Sequence, residues 1–166
     1  MHVHPNGAPH LVDPSRLLAS AGRVYGEALG PLWGEILPAP AERVTAVQGD
    51  GVVEAAGLHV GVVDTPGHAR HHNVYVVGDV AFTGDVAGIR IDGGAMLDIP
   101  AVPPEFDRET WYRSIDRLEA EDLAAIYPTH FGRTENVTQH WHDLRILIGE
   151  ASGFIHGMLV MGADRE

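Results

Sequence analysis

The stretch Val60-Gly61-Val62-Val63-Asp64-Thr65-Pro66-Gly67-His68 decides how the rest of the chain is read. A β-branched apolar run is a strand signal, and Pro66-Gly67 forces a tight turn directly behind it. His68 is thereby left at a rigid corner, where a scaffold presents polar side chains to a cleft. Two more strand ends carry polar residues. Thr83-Gly84-Asp85 follows the short apolar run that begins at Val80, and Gly84 permits close backbone approach just before a carboxylate. Pro128-Thr129-His130-Phe131-Gly132 follows the apolar segment 124–127. Alone, a Gly-Asp pair is most often a turn carboxylate that caps its own backbone, and His68 or His130 is a structural or surface imidazole. Together they supply two neutral imidazoles and one carboxylate, a donor set suited to zinc or a similar divalent ion.

Outward from this stretch, the chain alternates strand and helix signals. Segments 44–48, 52–55, 58–64, 73–77 and 80–83 read as short strands, and Gly49-Asp50-Gly51 and Gly78-Asp79 suit hairpin turns. Before them, Asp13-Pro14 marks a helix start. Leu17, Leu18, Ala21, Val24, Tyr25, Ala28 and Leu29 form its apolar stripe, and Gly30-Pro31 is expected to break it. After them, residues 86–107 are rich in Gly and Pro without a sustained period and read as a long connecting loop. A helix over 108–122 is capped by Asp107 and shows Trp111, Ile115 and Leu118 on one face. Segment 124–127 reads as a buried strand ending at Pro128. A last helix covers 137–159 with Val137, Trp141, Leu144, Ile148, Ala151, Ile155 and Leu159 inward and a break around Gly153. This order predicts an α/β (α+β) domain, one mixed sheet flanked by helices.

Composition narrows the function. The 166 residues and 45% hydrophobic content suffice for one domain with a real core. A net charge of −12 argues against nucleic acid as a general partner. No cysteine is present, so any metal must be held by His, Asp or Glu. The segment Met1 to His10 has neither a basic start with an apolar run nor the length to cross a bilayer, which leads us to expect a cytoplasmic protein without a membrane partner.

The succession of TPGH at 65–68, TGD at 83–85 and THFG at 129–132 resembles the metallo-β-lactamase superfamily, with glyoxalase II-like features. The resemblance runs from the His2-Val3-His4-Pro5 strand end through Asp13-Pro14 to His130. It implies a four-layered αββα sandwich and metal-assisted hydrolysis, with Zn2+, or Fe or Mn, as cofactor. It further implies that His68 is a ligand of a first metal, that Asp85 bridges two metals and acts in catalysis, and that His130 is a ligand of the second. His72 matches a position where glyoxalase II-like members carry another His, which implies a catalytic role in contact with substrate or behind the ligands. The other histidines read as structural or exposed, with His59, His140, His142 and His156 in no motif. Tyr25, Trp33, Trp111 and Trp141 read as core residues.

One departure matters. The family's HxHxDH motif is absent from the sequence. We therefore expect one domain over 1–166 that is an N-terminally incomplete, partial sandwich. The expected cofactor load is a weakly held single ion or none, with apolar faces that a homodimer would cover. Two functional expectations follow. One is a hydrolase of an ester, thioester or lactone bond in a small molecule held under segment 86–107, which carries Met96, Leu97, Ile99 and Val102. The other is an impaired, truncated remnant, or a fragment that works only in association with another chain. A soluble acidic domain with incidental histidines is the bland third.

Overall fold

Helix breakers shape the first of two compact units, Met1–Gly49 and Asp50–Glu166. The structure, a computed structural model, describes residues 1–47, 49–91, 96–101, 105–130 and 132–162. The first unit contains β1 (His2–Val3), α1 (Ala8–Val12), α2 (Ser15–Tyr25), α3 (Leu29–Trp33) and β2 (Thr45–Ala46), with β1 and β2 paired in parallel. Asp13 assists the start of α2 from one residue further out than expected, its Oδ1 accepting the Ser15 N–H at 3.1 Å while Pro14 takes the cap position. The expected break at Gly30-Pro31 falls instead at Gly26, where the chain makes a 3-10 turn before α3. Pro31 lies in the first turn of α3, where its missing N–H costs nothing. Tyr25 and Trp33 correct the core expectation, since both are exposed and their rings meet at 4.4 Å. The expected strand 44–48 shrinks to β2, and Gln48 lies outside the described residues.

The second unit is a mixed sheet with helices. Strands β3 (Gly51–Ala55), β4 (Leu58–Asp64), β5 (Asn73–Val77), β6 (Val80–Ile91) and β7 (Met96–Asp98) form an antiparallel meander. The chain then runs through α4 (Arg108–Glu119) to β8 (Ala125–His130), which lies parallel to β6, and ends in α5 (Val137–Met161). Asp107 caps α4 by accepting the Thr110 N–H at 2.9 Å. Val63, Val74, Ala81, Val86 and Ile126 from the sheet meet Trp111, Ile115 and Leu118 of α4 and Trp141, Leu144 and Ile148 of α5 in a single core cluster.

Three expectations fail here. Segment 86–107 is not one loop: β6 continues to Ile91 and β7 returns beside it, while 92–95 and 102–104, with Val102, lie outside the described residues. The interruption by Gly88 hid the strand, although Gly88 is where β7 passes so close that a Cβ would stand 2.7 Å from the Asp98 carbonyl oxygen. Pro128 does not end β8, because the strand pairs on one side with β6 and the ladder is irregular there. Helix α5 is unbroken at Gly153, but Ile155 and Leu159 are exposed rather than inward, as is Phe154 at 69%. By length and composition alone α5 would also cross a membrane, a test that core helices pass as well.

Strand alternation puts Phe82 on the face opposite Ala81 and Thr83, which are buried. Tyr75, Phe82 and Tyr127 occupy one register across β5, β6 and β8, and Phe82 stacks on Tyr127 at 5.4 Å. Phe82 and Tyr127 are 48% and 37% exposed, so this aromatic face of the sheet is not fully covered.

Gly67, with φ of 132°, ties the site-bearing turn to α4: a Cβ there would lie 2.4 Å from Trp111 Cα and 2.5 Å from its N. No side chain can relieve that overlap. Gly67→Ala is expected to cost about 3 kcal/mol or more of unfolding free energy by urea titration. Gly153→Ala, in open space within α5, is expected to gain roughly 0.5–1 kcal/mol.

Candidate metal centre

The three sequence motifs converge on Asp85. His68 comes from the turn after β4, Asp85 from the middle of β6 and His130 from the last position of β8. His68 Nε2 is 3.4 Å from Asp85 Oδ2, and His130 Nε2 is 3.3 Å from Asp85 Oδ1. The carboxylate thus faces one imidazole with each oxygen. Its Oδ1 is buried and has no hydrogen-bond partner.

Two features of this arrangement suit a cation. A charge-assisted N–H···O bond measures about 2.7–2.9 Å, whereas donors sharing a tetrahedral zinc at about 2.0–2.2 Å stand roughly 3.3–3.5 Å apart. The observed separations match the second case. In addition, His68 Nδ1 lies 2.7 Å from the Pro100 carbonyl oxygen. A carbonyl only accepts, so Nδ1 carries a proton, and whenever the ring is neutral the Nε2 lone pair faces the carboxylate. Something positive has to stand between them, and metal-ligating histidines are commonly fixed through their other nitrogen in this way. Among the described residues, however, no group of three or more His, Asp or Glu gathers its donors as a metal-binding cluster. Pairing is through the two oxygens of Asp85, as a bridging carboxylate would require, rather than around one point.

Electrostatics follow from the contacts. The adjacent His68 imidazole holds the Asp85 carboxyl below the usual range against the opposing effect of burial, and the charges of His68, His130 and His72 add to it. Burial disfavours the charged His68 ring, but Asp85, the Pro100 carbonyl and Glu105 outweigh burial and raise its pKa.

His72 is placed differently. Its Nε2 accepts the Asp85 N–H at 3.1 Å and, at 3.4 Å, the Val86 N–H, so its proton is on Nδ1 and points to Thr65 Oγ1 at 2.8 Å. Burial pushes its pKa down to about 4, with the His68 charge adding to the shift. A neutral ring with both nitrogens engaged holds the β6 backbone and has no free lone pair for substrate. Gly84 is required beneath it, because a Cβ would come within 2.6 Å of His72 Nε2.

Behind the site, β6 bulges. Pairing with β8 goes from Gly84–Pro128 to Ile89–His130, so residues 85–88 of β6, four residues, stand against the single Thr129. The freed carbonyl groups find side chains. Trp111 Nε1–H donates to the Val86 oxygen at 2.8 Å, and His140 Nε2 lies 2.8 Å from the Ala87 oxygen. Trp111 also meets the His68 ring edge-on at 5.9 Å, and Ser114 Oγ donates to the Pro66 oxygen at 2.6 Å. Sequence reading missed His140 and Thr65, and it gave Trp111 only a packing role. Thr65 and Ser114 had no signal beyond their nearness to TPGH and to the α4 face, and His140 stood in no motif. His71, exposed, lies 3.7 Å from Glu105, which Arg70 also grips.

Comparisons with known proteins identify the family. Residues 2–130 match the model of the metallo-beta-lactamase superfamily, and the chain belongs to that superfamily. The metallo-beta-lactamase fold-containing protein ST1585 of Sulfurisphaera tokodaii is 33% identical over 102 residues, 61% of this chain and 38% of that protein. A crystal structure of ST1585, described as the first of an archaeal metallo-beta-lactamase superfamily protein, aligns with a TM-score of 0.71 and 26% identity over 87% of this chain and 56% of that one. For TTHA1429 of Thermus thermophilus the TM-score is 0.67 and the identity 18%, over 97% of this chain and 55% of that one, which shows the fold alone. The chain therefore spans between 38% and 56% of the length of these relatives.

His140 gives this unit a pH signature. Burial lowers its pKa from 6.5 to about 4, and the Arg90 charge adds to the shift. A depressed imidazole means that the unfolded chain binds the proton first, so its stabilising effect is complete above pH 6.5 and is lost as pH falls toward 4. That effect is worth up to roughly 3 kcal/mol. Urea midpoints of metal-free protein are expected to fall between pH 7 and 4.5 by less in His140→Gln than in the parent, and equal falls would contradict the shift.

Proposed function

We propose that the chain contributes a metal centre built on His68, Asp85 and His130 to a hydrolase acting on an ester, thioester or lactone bond. The observation that carries this reading is Asp85, whose two oxygens face His68 and His130 at 3.4 and 3.3 Å with Oδ1 buried and otherwise unpartnered. The donor set is nitrogen and oxygen only, which fits zinc, iron or manganese. When bound, such an ion lowers the pKa of a water toward neutrality and polarises the bond under attack. His68 would hold the ion through Nε2, with Pro100 fixing its ring. Asp85 would offer a negative oxygen to each side, and His130 would approach the second oxygen. His72 and Trp111 keep Asp85 in place from behind. A neighbouring fold, titled a peroxy diiron species of the chemotaxis sensor ODP, aligns at a TM-score of 0.55 and 11% identity.

A second reading is that the site is completed only by association. It is favoured by the pairwise gathering of donors around Asp85 and by the exposure of Phe82 and Tyr127 on the sheet. Under this reading a second copy of the chain covers that face, and the isolated chain holds one ion weakly.

Metal analysis and zinc calorimetry on EDTA-treated protein test both. At most one weakly held zinc per chain is expected, abolished in Asp85→Ala and His68→Ala. Two tightly held ions would sink the single-ion assignment, and no uptake would sink the centre itself. Turnover of a chromogenic ester, thioester or lactone should require added metal and fall about 100-fold or more in Asp85→Asn.

A further inference from the structure

The bulge in β6 leaves backbone groups that need partners. Residues 85–88 stand against a single residue of β8, so several of these groups lose their ladder bonds beside a buried core, where each unpaired group is costly. Two amides of the bulge are held by His72 and one carbonyl by Trp111. The Ala87 carbonyl is held from α5 by His140.

His140 is fully buried, and both of its ring nitrogens are used. Because the Ala87 carbonyl can only accept, Nε2 carries the proton and donates at 2.8 Å. Nδ1 therefore bears the lone pair, and it accepts the Arg90 Nε–H at 2.9 Å. Ala87 and Arg90 lie on the two sides of Gly88 in the same strand. One rigid ring thus bridges the exit of the bulge, where Gly88 adopts φ of 73°. A buried neutral imidazole has one donor and one acceptor to satisfy; here both are met by residues of one strand, on either side of Gly88.

We propose that His140 is a positioning residue for the metal centre: bridging Ala87 and Arg90, it fixes the β6 bulge from which Asp85 reaches His68 and His130. The inference rests on the metal reading above only for its functional consequence; the bracing of the bulge stands on geometry alone. The ring stays neutral across the physiological range, because burial disfavours its charged form and the adjacent Arg90 adds to that, so the donor and acceptor do not exchange.

The test compares His140→Leu, His140→Gln and the core control Leu118→Ala in this chain. Leu118 is buried on α4, so its truncation reports general destabilisation. Zinc affinity is read by calorimetry, and amide hydrogen exchange is read over residues 85–88. His140→Leu is expected to weaken zinc binding by about 10- to 100-fold and to speed exchange in the bulge beyond the rest of the sheet. His140→Gln, which keeps an N–H for Ala87, should recover most of both losses, and Leu118→Ala should leave the zinc Kd unchanged despite a lowered Tm. If His140→Leu behaves like Leu118→Ala in both readouts, the positioning role is overturned. If the parent protein takes up no zinc, the metal reading fails by itself, and the exchange pattern alone then decides for or against His140 as the brace.

Discussion

A carboxylate with an imidazole nitrogen facing each of its oxygens is the constraint around which the second unit is organised. Asp85 is half-buried, Oδ1 has no hydrogen bond, and the Nδ1 proton of His68 is committed to Pro100 on the far side of the ring. Left to itself, this contact sets lone pairs against lone pairs and costs energy unless a proton or a metal ion stands between them. The fold maintains it through backbone contacts rather than by ion pairing. Residues 85–88 leave the β8 ladder, and side chains from the β4–β5 turn, from α4 and from α5 take up the groups that the ladder gives up.

This division of labour explains why the glycines sit where they do. Gly67 lets the His68 turn lie against the backbone of Trp111, and Gly84 leaves room for the His72 ring above β6. Each allows an element to approach closely enough for its polar group to reach the bulge, so the precision of the site depends on backbone contacts more than on the ligands' own packing. It also separates the histidines by role. His68 and His130 direct a nitrogen toward Asp85, whereas His140 uses both nitrogens on the strand that carries it and His72 holds that strand through Nε2 while Nδ1 ties the ring to Thr65.

Much of this was legible in the sequence, and what was not has physical causes. Strands β4 and β5 and the Asp107 cap of α4 were read to the residue because their signals are local: alternating apolar residues, paired turn glycines, an Asp at the N-cap. The TPGH and THFG motifs were legible as strand ends for the same reason, whereas TGD, read as a strand end too, lies in the middle of β6 because the strand runs on to Ile91. The second half of β6 was not, since Gly88 interrupts its alternation for a close crossing by β7 that belongs to tertiary structure. His140 carried no signal at all. It is defined by an Arg fifty residues earlier and by a carbonyl freed in a bulge, and neither can be seen along the chain. The apolar stripe of α2 and the distal half of α5 misled in the other direction: their helical periodicity is real, yet Val24, Tyr25, Ile155 and Leu159 are exposed. Periodicity reports that a face is meant to be covered, but it does not say by what.

Those exposed helix faces have a counterpart on the sheet. The helices of the second unit contribute their core residues to one cluster with Val63, Val74 and Ala81, while the row of Tyr75, Phe82 and Tyr127 lies in register across three strands with Phe82 and Tyr127 open to solvent. A sheet packed on one side and aromatic on the other is half of a sandwich. His130 ends the same strand, β8, that carries Tyr127, but it lies three residues further on, an odd number, so strand alternation does not place the two side chains on one face. The braced carboxylate and the open aromatic face are thus separate features of the second unit: the first stands on contacts made by His72, Trp111 and His140 with the bulge, whereas the second is a surface that the described residues cover only in part.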